Sequence, residues 1–248
     1  MARSLPRSKA VSTQRSLAIN PAGIWLALGG IAALLVMASL GFSAAKNWWW
    51  NADPYGLSGL FRLNAEGNVP SFFSGLLFLL NSGLLAAVAW ARWGDGWRRW
   101  VWGFLAALFM FLAFDELFGV HEALIEPMRQ AWELSGLFYF SWILVYVPAT
   151  VLLGAIFLPV WLKMKPRDRL RFAASAVTYL AGAVGLEMVG GARYEAVGAA
   201  GDTVYALIYT AEESLEMAGL ILLLASLLYL LADELGEVTV TFGVRGTP

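Results

Sequence analysis

Seven carboxylates stand inside stretches of chain that are otherwise apolar, and these are the residues best suited to chemistry. Asp115, Glu116 and Glu122 belong to the run Phe114-Asp-Glu-Leu-Phe-Gly-Val-His121-Glu122. Glu187 lies in Gly185-Leu-Glu-Met-Val-Gly-Gly191, and Glu212, Glu213 and Glu216 lie in Thr210-Ala-Glu-Glu-Ser-Leu-Glu-Met-Ala-Gly219. Arg99 and Arg171 mark the far ends of two of these stretches, and no other Lys or Arg falls within them. The single histidine of the chain, His121, stands among the acids. A carboxylate at the centre of a bilayer costs about 2.5–3.5 kcal/mol on insertion scales. Acids that meet there must therefore share protons or a cation. Carboxylate oxygens with one imidazole suit Mg, Mn, Ca or Fe, and a mixed set also holds Zn. The expected site is a divalent metal ion drawn from Asp115, Glu116, His121, Glu122, Glu187, Glu212, Glu213 and Glu216.

Other chemistries fit less well. The chain has no cysteine, which excludes disulfides, thiolate metal sites, Fe–S clusters and cysteine nucleophiles. His121-Glu122 opens like an H-E-x-x-H zinc protease motif, but Ala123, Leu124 and Ile125 follow and no second histidine exists. Carboxylate-bridged di-iron bundles ask for two histidines. A Ser–His–Asp triad would rest on one histidine with no nucleophile elbow.

The elements that must position these residues are membrane helices. Of 248 residues, 59% are hydrophobic and 14% charged, against roughly 45–50% and about 25% in a soluble domain. The net charge of −1 provides no basic field for nucleic acid. About 20 apolar residues cross a bilayer, and six stretches qualify, at 22–44, 70–91, 99–121, 137–162, 171–191 and 203–232. The fold expected is all-α, a polytopic six-helix membrane bundle over 21–234. It is flanked by a disordered N-terminus (1–20) and a tail (235–248), in which residues 237–242 alternate like a short strand. The first stretch is too long for a signal-peptide core and reads as an uncleaved anchor. Trp48, Trp49, Trp50, Trp97, Trp100 and Trp102 sit where an aromatic belt is expected. Pro148 and Pro159 are expected to kink the fourth span. Ala181 and Gly185 have the spacing of a tight helix crossing.

Orientation follows from the cations. With the N-terminus inside, Lys46, Arg62, Arg129 and Arg193 fall outside and the other 13 of the 17 Lys and Arg inside. Both termini are then cytoplasmic, in a bacterial inner membrane. At 1.5 Å per residue, Asp115 lies about 24 Å beyond Arg99, Glu187 about 24 Å beyond Arg171, and Glu216 about 25 Å from Asp233. Three helices thus place a carboxylate at one level, near the periplasmic boundary. Glu212, Glu213, His121 and Glu122 come about 5–10 Å further out. On a continuous helix Asp115 would stack beneath Glu122, with Glu116 and His121 off that stripe. Tyr194, Tyr205 and Tyr209 lie in the same region as hydrogen-bond donors.

The run Leu60-Phe-Arg-Leu-Asn-Ala-Glu66-Gly-Asn-Val-Pro70, followed by Asp115-Glu116 and His121-Glu122, resembles a group of uncharacterised bacterial multi-pass membrane proteins. The likeness covers most of the chain after residue 50. It implies a shared fold with a recurring acid–His pattern, carries no established activity, and brings in Glu66 as an outer-face contributor. The sequence departs from membrane hydrolases of the ceramidase type, whose zinc site uses several histidines. The function expected is a metal site in a membrane protein, with a metal-dependent reaction on a lipid or periplasmic substrate as its use. A proton- or cation-coupled transporter is the first alternative. An accessory subunit, with a protein partner or a second copy, is the other. Whether turnover takes place is left open by the residues.

Overall fold

In the computed structural model, residues 20–45, 56–198 and 202–236 are described. The expected disordered N-terminus up to residue 19, the tryptophans at 48–50 and the tail from residue 237 lie outside them. The described residues form helices α1 (Pro21–Ala45), α2 (Leu57–Leu60), α3 (Val69–Ala91), α4 (Trp97–Phe118), α5 (Ile125–Trp132), α6 (Ile143–Trp161), α7 (Pro166–Leu180), α8 (Glu187–Val197) and α9 (Thr203–Leu235). A π-helical turn, Ala181–Leu186, joins α7 to α8 without a break. Six helices are long and apolar enough to cross a membrane: α1, α3, α4, α6, the joined α7–α8 and α9. The chain is a multi-pass membrane protein.

The hub is α9, whose 33 residues extend about 50 Å. It packs against α1, α3, α7, the π turn and α8, while α3 and α4 form an antiparallel hairpin. Two apolar clusters fill the interior. One joins Leu85, Val88, Trp102, Leu105, Val160, Phe172 and Leu227; the other joins Leu63, Phe73, Leu77, Phe78, Ala113, Met217 and Leu220. Short polar side chains stitch the helices at backbone carbonyls, as membrane interiors favour. Asn81 Nδ2 donates to Leu220 O at 3.0 Å, Ser82 Oγ to Ala106 O at 2.7 Å and Ser175 Oγ to Gly219 O at 2.9 Å. Large apolar side chains cover the outside, among them Leu34, Phe72, Val151, Leu152 and Val177.

The tightest crossing is between α7 and α9. A Cβ on Gly219 would stand 2.6 Å from Tyr179 Cβ, and one on Gly182 would stand 2.7 Å from the Glu212 carbonyl oxygen. The expected contact through Ala181 and Gly185 is thus made by Gly182 instead. The π turn inserts extra rotation and brings that glycine to the interface.

Two other expectations are corrected. Trp102 does not belong to an interfacial belt: it is fully buried and packs edge-on against Phe157 at 5.3 Å and Phe172 at 6.0 Å. Trp97 and Trp100 are exposed. The third span ends at Phe118, because Gly119 adopts the left-handed conformation (φ 61°) and its N–H closes on Asp115 O at 2.8 Å. α6 runs unbroken through Pro148 and Pro159.

The bundle has two chemically distinct ends. At one, Arg92 pairs with Glu234, and Arg167 and Lys165 pair with Asp233. At the other, where α4 ends and α9 begins, the acids gather.

Candidate functional site: an acid-lined cavity

A cavity of about 620 Å³ opens at the acidic end. Nine carboxylates line it: Glu66, Asp115, Glu116, Glu122, Glu126, Glu187, Glu212, Glu213 and Glu216. Every acid singled out in the sequence is among them, and His121 is too. Among the described residues only Arg62, Arg129 and His121 bring positive charge to the lining, and Arg129 is paired with Glu126.

Each wall has a local cause. The left-handed turn at Gly119 reverses the chain after α4, so His121 folds back over the helix end. Asp115 Oδ1 then accepts from the His121 backbone N–H at 2.7 Å and faces its Nδ1 at 3.2 Å, while Tyr146 Oη donates to Asp115 Oδ2 at 3.0 Å. Glu122 does not continue the α4 stripe above Asp115; it opens a 3-10 turn leading to α5. The helical stacking expected of these two residues fails because the helix stops between them. Glu116, expected off the stripe, lines the cavity beside Asp115.

Glu66 arrives on the loop between α2 and α3, and that loop is pinned at several points. Asn68 caps α3, accepting from Ser71 N at 3.1 Å while Ser71 Oγ accepts from Asn68 N at 3.0 Å. This reciprocal pairing satisfies two helix-end donors. Leu63 N donates to Ser39 Oγ on α1 at 3.3 Å, and Asn64 Nδ2 donates to Tyr205 Oη on α9 at 3.0 Å. The Glu66 carboxylate lies directly over Gly119, where any Cβ would collide with it. Its Oε1 comes to 3.8 Å from His121 Nε2.

A second group of acids lies on α8 and α9. Trp142 Nε1 donates to Glu187 Oε1 at 2.8 Å. Glu187 and Glu212 stand within charge range of each other, and Glu212 Oε2 lies close to Gly190. Glu216 lies over Gly182, and Glu116 stands within charge range of Glu216, Glu66 and His121. The two groups therefore meet at Glu116. Asp202 caps α9 through Tyr205 N at 2.7 Å and clamps it to α8 through Arg193 Nη2 at 2.6 Å.

The loop groups feel these neighbours. Burial opposes charge on His121, but the hydrogen bond and charge of Asp115, with Glu66 and Glu116 nearby, prevail and raise its pKa to about 9. Burial first, then the charges of Glu122 and Asp115, push Glu66 up to about 7 against the pull of His121. At the rim, the hydrogen bond from Arg193 and then the Tyr205 N–H hold Asp202 down at about 2.

Sequence reading missed Trp142, Tyr146 and Asn64. Trp142, Tyr146 and Thr150 recur every four residues, so the fourth span carried a polar-capable stripe along one face. Asn64 carried no such signal. Among the described residues, no three Asp, Glu or His side chains converge closely enough to hold a metal ion as they stand. Glu66 Oε1 and His121 Nε2 form one candidate pair of ligands. Their 3.8 Å separation is too long for a hydrogen bond, yet within the roughly 4 Å that two ligands of one ion can span.

No curated protein and no solved structure matches the chain. One family profile does, over residues 25–231, which takes in most of α1 and α9, the other four spanning helices whole and every described residue lining the cavity. By that match the chain belongs to the family described as Domain of unknown function (DUF8692).

Proposed function

We propose that the cavity is a cation site of a bacterial inner-membrane protein, and that its resident is a divalent metal ion held first by Glu66 and His121. The observation that carries this reading is the geometry of His121. Its Nδ1 is engaged by Asp115 while its Nε2 faces a carboxylate at 3.8 Å without bonding to it. A metal-bound histidine characteristically gives its other ring N–H to a carboxylate, which fixes the tautomer and orients the ring. Asp115 then serves as a positioning residue, held in turn by Tyr146. This departs from the expectation that Asp115 and Glu187 bind the ion themselves. Glu116, Glu122, Glu213 and Glu216 supply the remaining oxygen ligands. Mn, Fe, Zn, Mg and Ca all accept such a set, with the nitrogen favouring the first three.

A metal held by Glu66 and His121 would supply Lewis-acid activation of water or of a lipid-borne or periplasmic substrate, and the acids not bound to it would be candidates for general acid–base work. The clustering of Lys and Arg at the other end supports a cytoplasmic position for that end and for both termini. The cavity then faces the periplasm. A second reading, a proton or cation relay, is favoured by the same cluster, because neighbouring carboxyls within a membrane helix bundle are a feature such relays use.

Elemental analysis of the detergent-purified protein tests the first reading, with Glu66→Gln and His121→Gln beside the wild type and rim variant Glu126→Gln. The expected result is near-stoichiometric metal in the wild type and Glu126→Gln, lost in the other two. Absence of metal after incubation with Mn²⁺, Fe²⁺ and Zn²⁺ overturns it and moves the weight to the relay. Co-purification of a protein whose removal exposes the acids would instead identify an accessory subunit.

A further inference from the structure

Apolar side chains line the cavity beside the acids: Phe78, Leu112, Leu180 and Val184 from α3, α4, α7 and the π turn, with Thr150 from α6. Thr150 lies seven residues into α6, about 10 Å from the start of that helix. Its neighbours Val151 and Leu152 are 67% and 63% exposed on the outer surface of the bundle. At that depth the cavity and the surroundings of the bundle are separated by α6 alone.

α6 is held at its two ends. At the basic end, Phe157 packs on Trp102 at 5.3 Å and Trp161 Nε1 donates to Arg169 O at 3.0 Å. At the acidic end, Trp142 and Tyr146 reach Glu187 and Asp115 by the full length of their side chains. Between these anchors Leu153 packs against the apolar cluster of Leu85, Trp102 and Leu227, while Val151 and Leu152 face outward. Pro148 falls in this middle stretch, where it leaves the Leu144 carbonyl without its helical donor.

We propose that the ligand of the cavity is an amphiphile taken from the bilayer, its polar head among the carboxylates and its chain leaving beside α6 past Leu112 and Thr150. The inference rests on the acid cavity being the functional site, and it holds whichever cation resides there. A ligand arriving from water has no use for these apolar walls, whereas an acyl chain does, since each buried CH₂ is worth about 0.8 kcal/mol. The Tyr146–Asp115 hydrogen bond is the tie that must open, and it links chain access to the residue that orients His121.

The chain has no cysteine, so one introduced thiol reports alone. Ala183→Cys places it on the cavity wall, Thr150→Cys provides a second position there, and Val151→Cys reports the reagent concentration in the bilayer. The probes are dodecyl maleimide dissolved in phosphatidylcholine vesicles and a trimethylammonium maleimide in the buffer, the latter favoured by the acids if access is from water. The expected result is that the alkyl reagent labels Ala183→Cys or Thr150→Cys about tenfold faster than the cationic one. Adding Tyr146→Phe should speed the alkyl reaction about tenfold again, the factor a lost charge-assisted hydrogen bond gives. Equal or faster labelling by the cationic reagent, or no effect of Tyr146→Phe, overturns the proposal. Metal content measured on the same variants separates the two ideas: metal without alkyl labelling refutes only the bilayer route, and labelling without metal refutes only the metal site.

Discussion

Replacing Asp115 by Asn keeps the shape of the side chain and removes its charge, and the single histidine reports the result directly. In the metal-free protein His121 is held protonated up to about pH 9. The main support is Asp115 Oδ1, 3.2 Å from Nδ1. A hydrogen bond to a charged partner contributes ~1.5–3 kcal/mol. At 1.36 kcal/mol per unit, its loss should bring the His121 pKa from about 9 to about 7–8. One histidine gives one set of imidazole resonances, so ¹⁵N-histidine NMR in nanodiscs follows the titration without assignment. Stability should move with it. A folded-state pKa raised from 6.5 to about 9 contributes ~3 kcal/mol that is fully present below pH 6.5 and lost as pH rises through 9. Glu66, raised from 4.5 to about 7, has the same sign over a lower window. The wild type should therefore melt at falling temperature from pH 7 to 10, and Asp115→Asn should flatten that fall. A His121 titration in Asp115→Asn within half a unit of wild type would refute the assigned role of this carboxylate.

Other outcomes follow from individual contacts. Gly219→Ala brings a methyl to 2.6 Å from Tyr179, where ordinary contact begins at 3.4 Å; the forced separation of α7 and α9 should cost about 1–3 kcal/mol. Thermal unfolding should show a clear drop, while Gly103→Ala, with nothing within 4 Å, should show none. Gly119→Ala strains a left-handed position and strikes Glu66, so it should weaken metal binding at least as much as Glu66→Gln does, measured by equilibrium dialysis. Asp202→Asn should destabilise the α8–α9 junction; the charged cap acts above pH 3.8 and fades as pH falls through about 2, so wild type and variant should converge in acid. Trp142→Phe removes the donor to Glu187 and should leave the metal content intact while slowing any proton-dependent turnover.

Much of this architecture was legible in the order of residues because a bilayer imposes few choices. Length and apolarity alone specify a spanning helix, and the six of the seven acids that lie within such helices have to face inward. What escaped was set by single-residue geometry. The depth arithmetic treated the region from Arg99 to Glu122 as one helix, and Gly119 ends it, so His121 reaches Asp115 by a turn rather than by helical spacing. The small-residue contact fell on Gly182 because the π turn changes the register that spacing assumes. Trp102 looked like a belt residue by position along the chain, yet burial depends on which way its helix face points. Glu66 entered through the resemblance alone, since a loop residue carries no periodicity to place it.

The π turn at Ala181–Leu186 has a consequence for how this membrane protein tolerates length changes. A helix that widens for one turn holds a residue more than a regular helix of the same height requires. Removing Val184 would let α7 and α8 join as one regular helix and, because the wide turn already absorbs that extra residue, would leave Glu187 on its present face toward Trp142. Removing a residue from the regular part of α7 has no such slack to draw on and would swing the two sides of the helix by roughly 100° relative to one another. The span would stay long enough to cross the bilayer in both cases, so where in this helix a residue is lost, rather than whether one is lost, decides whether the acid keeps its place in the cavity.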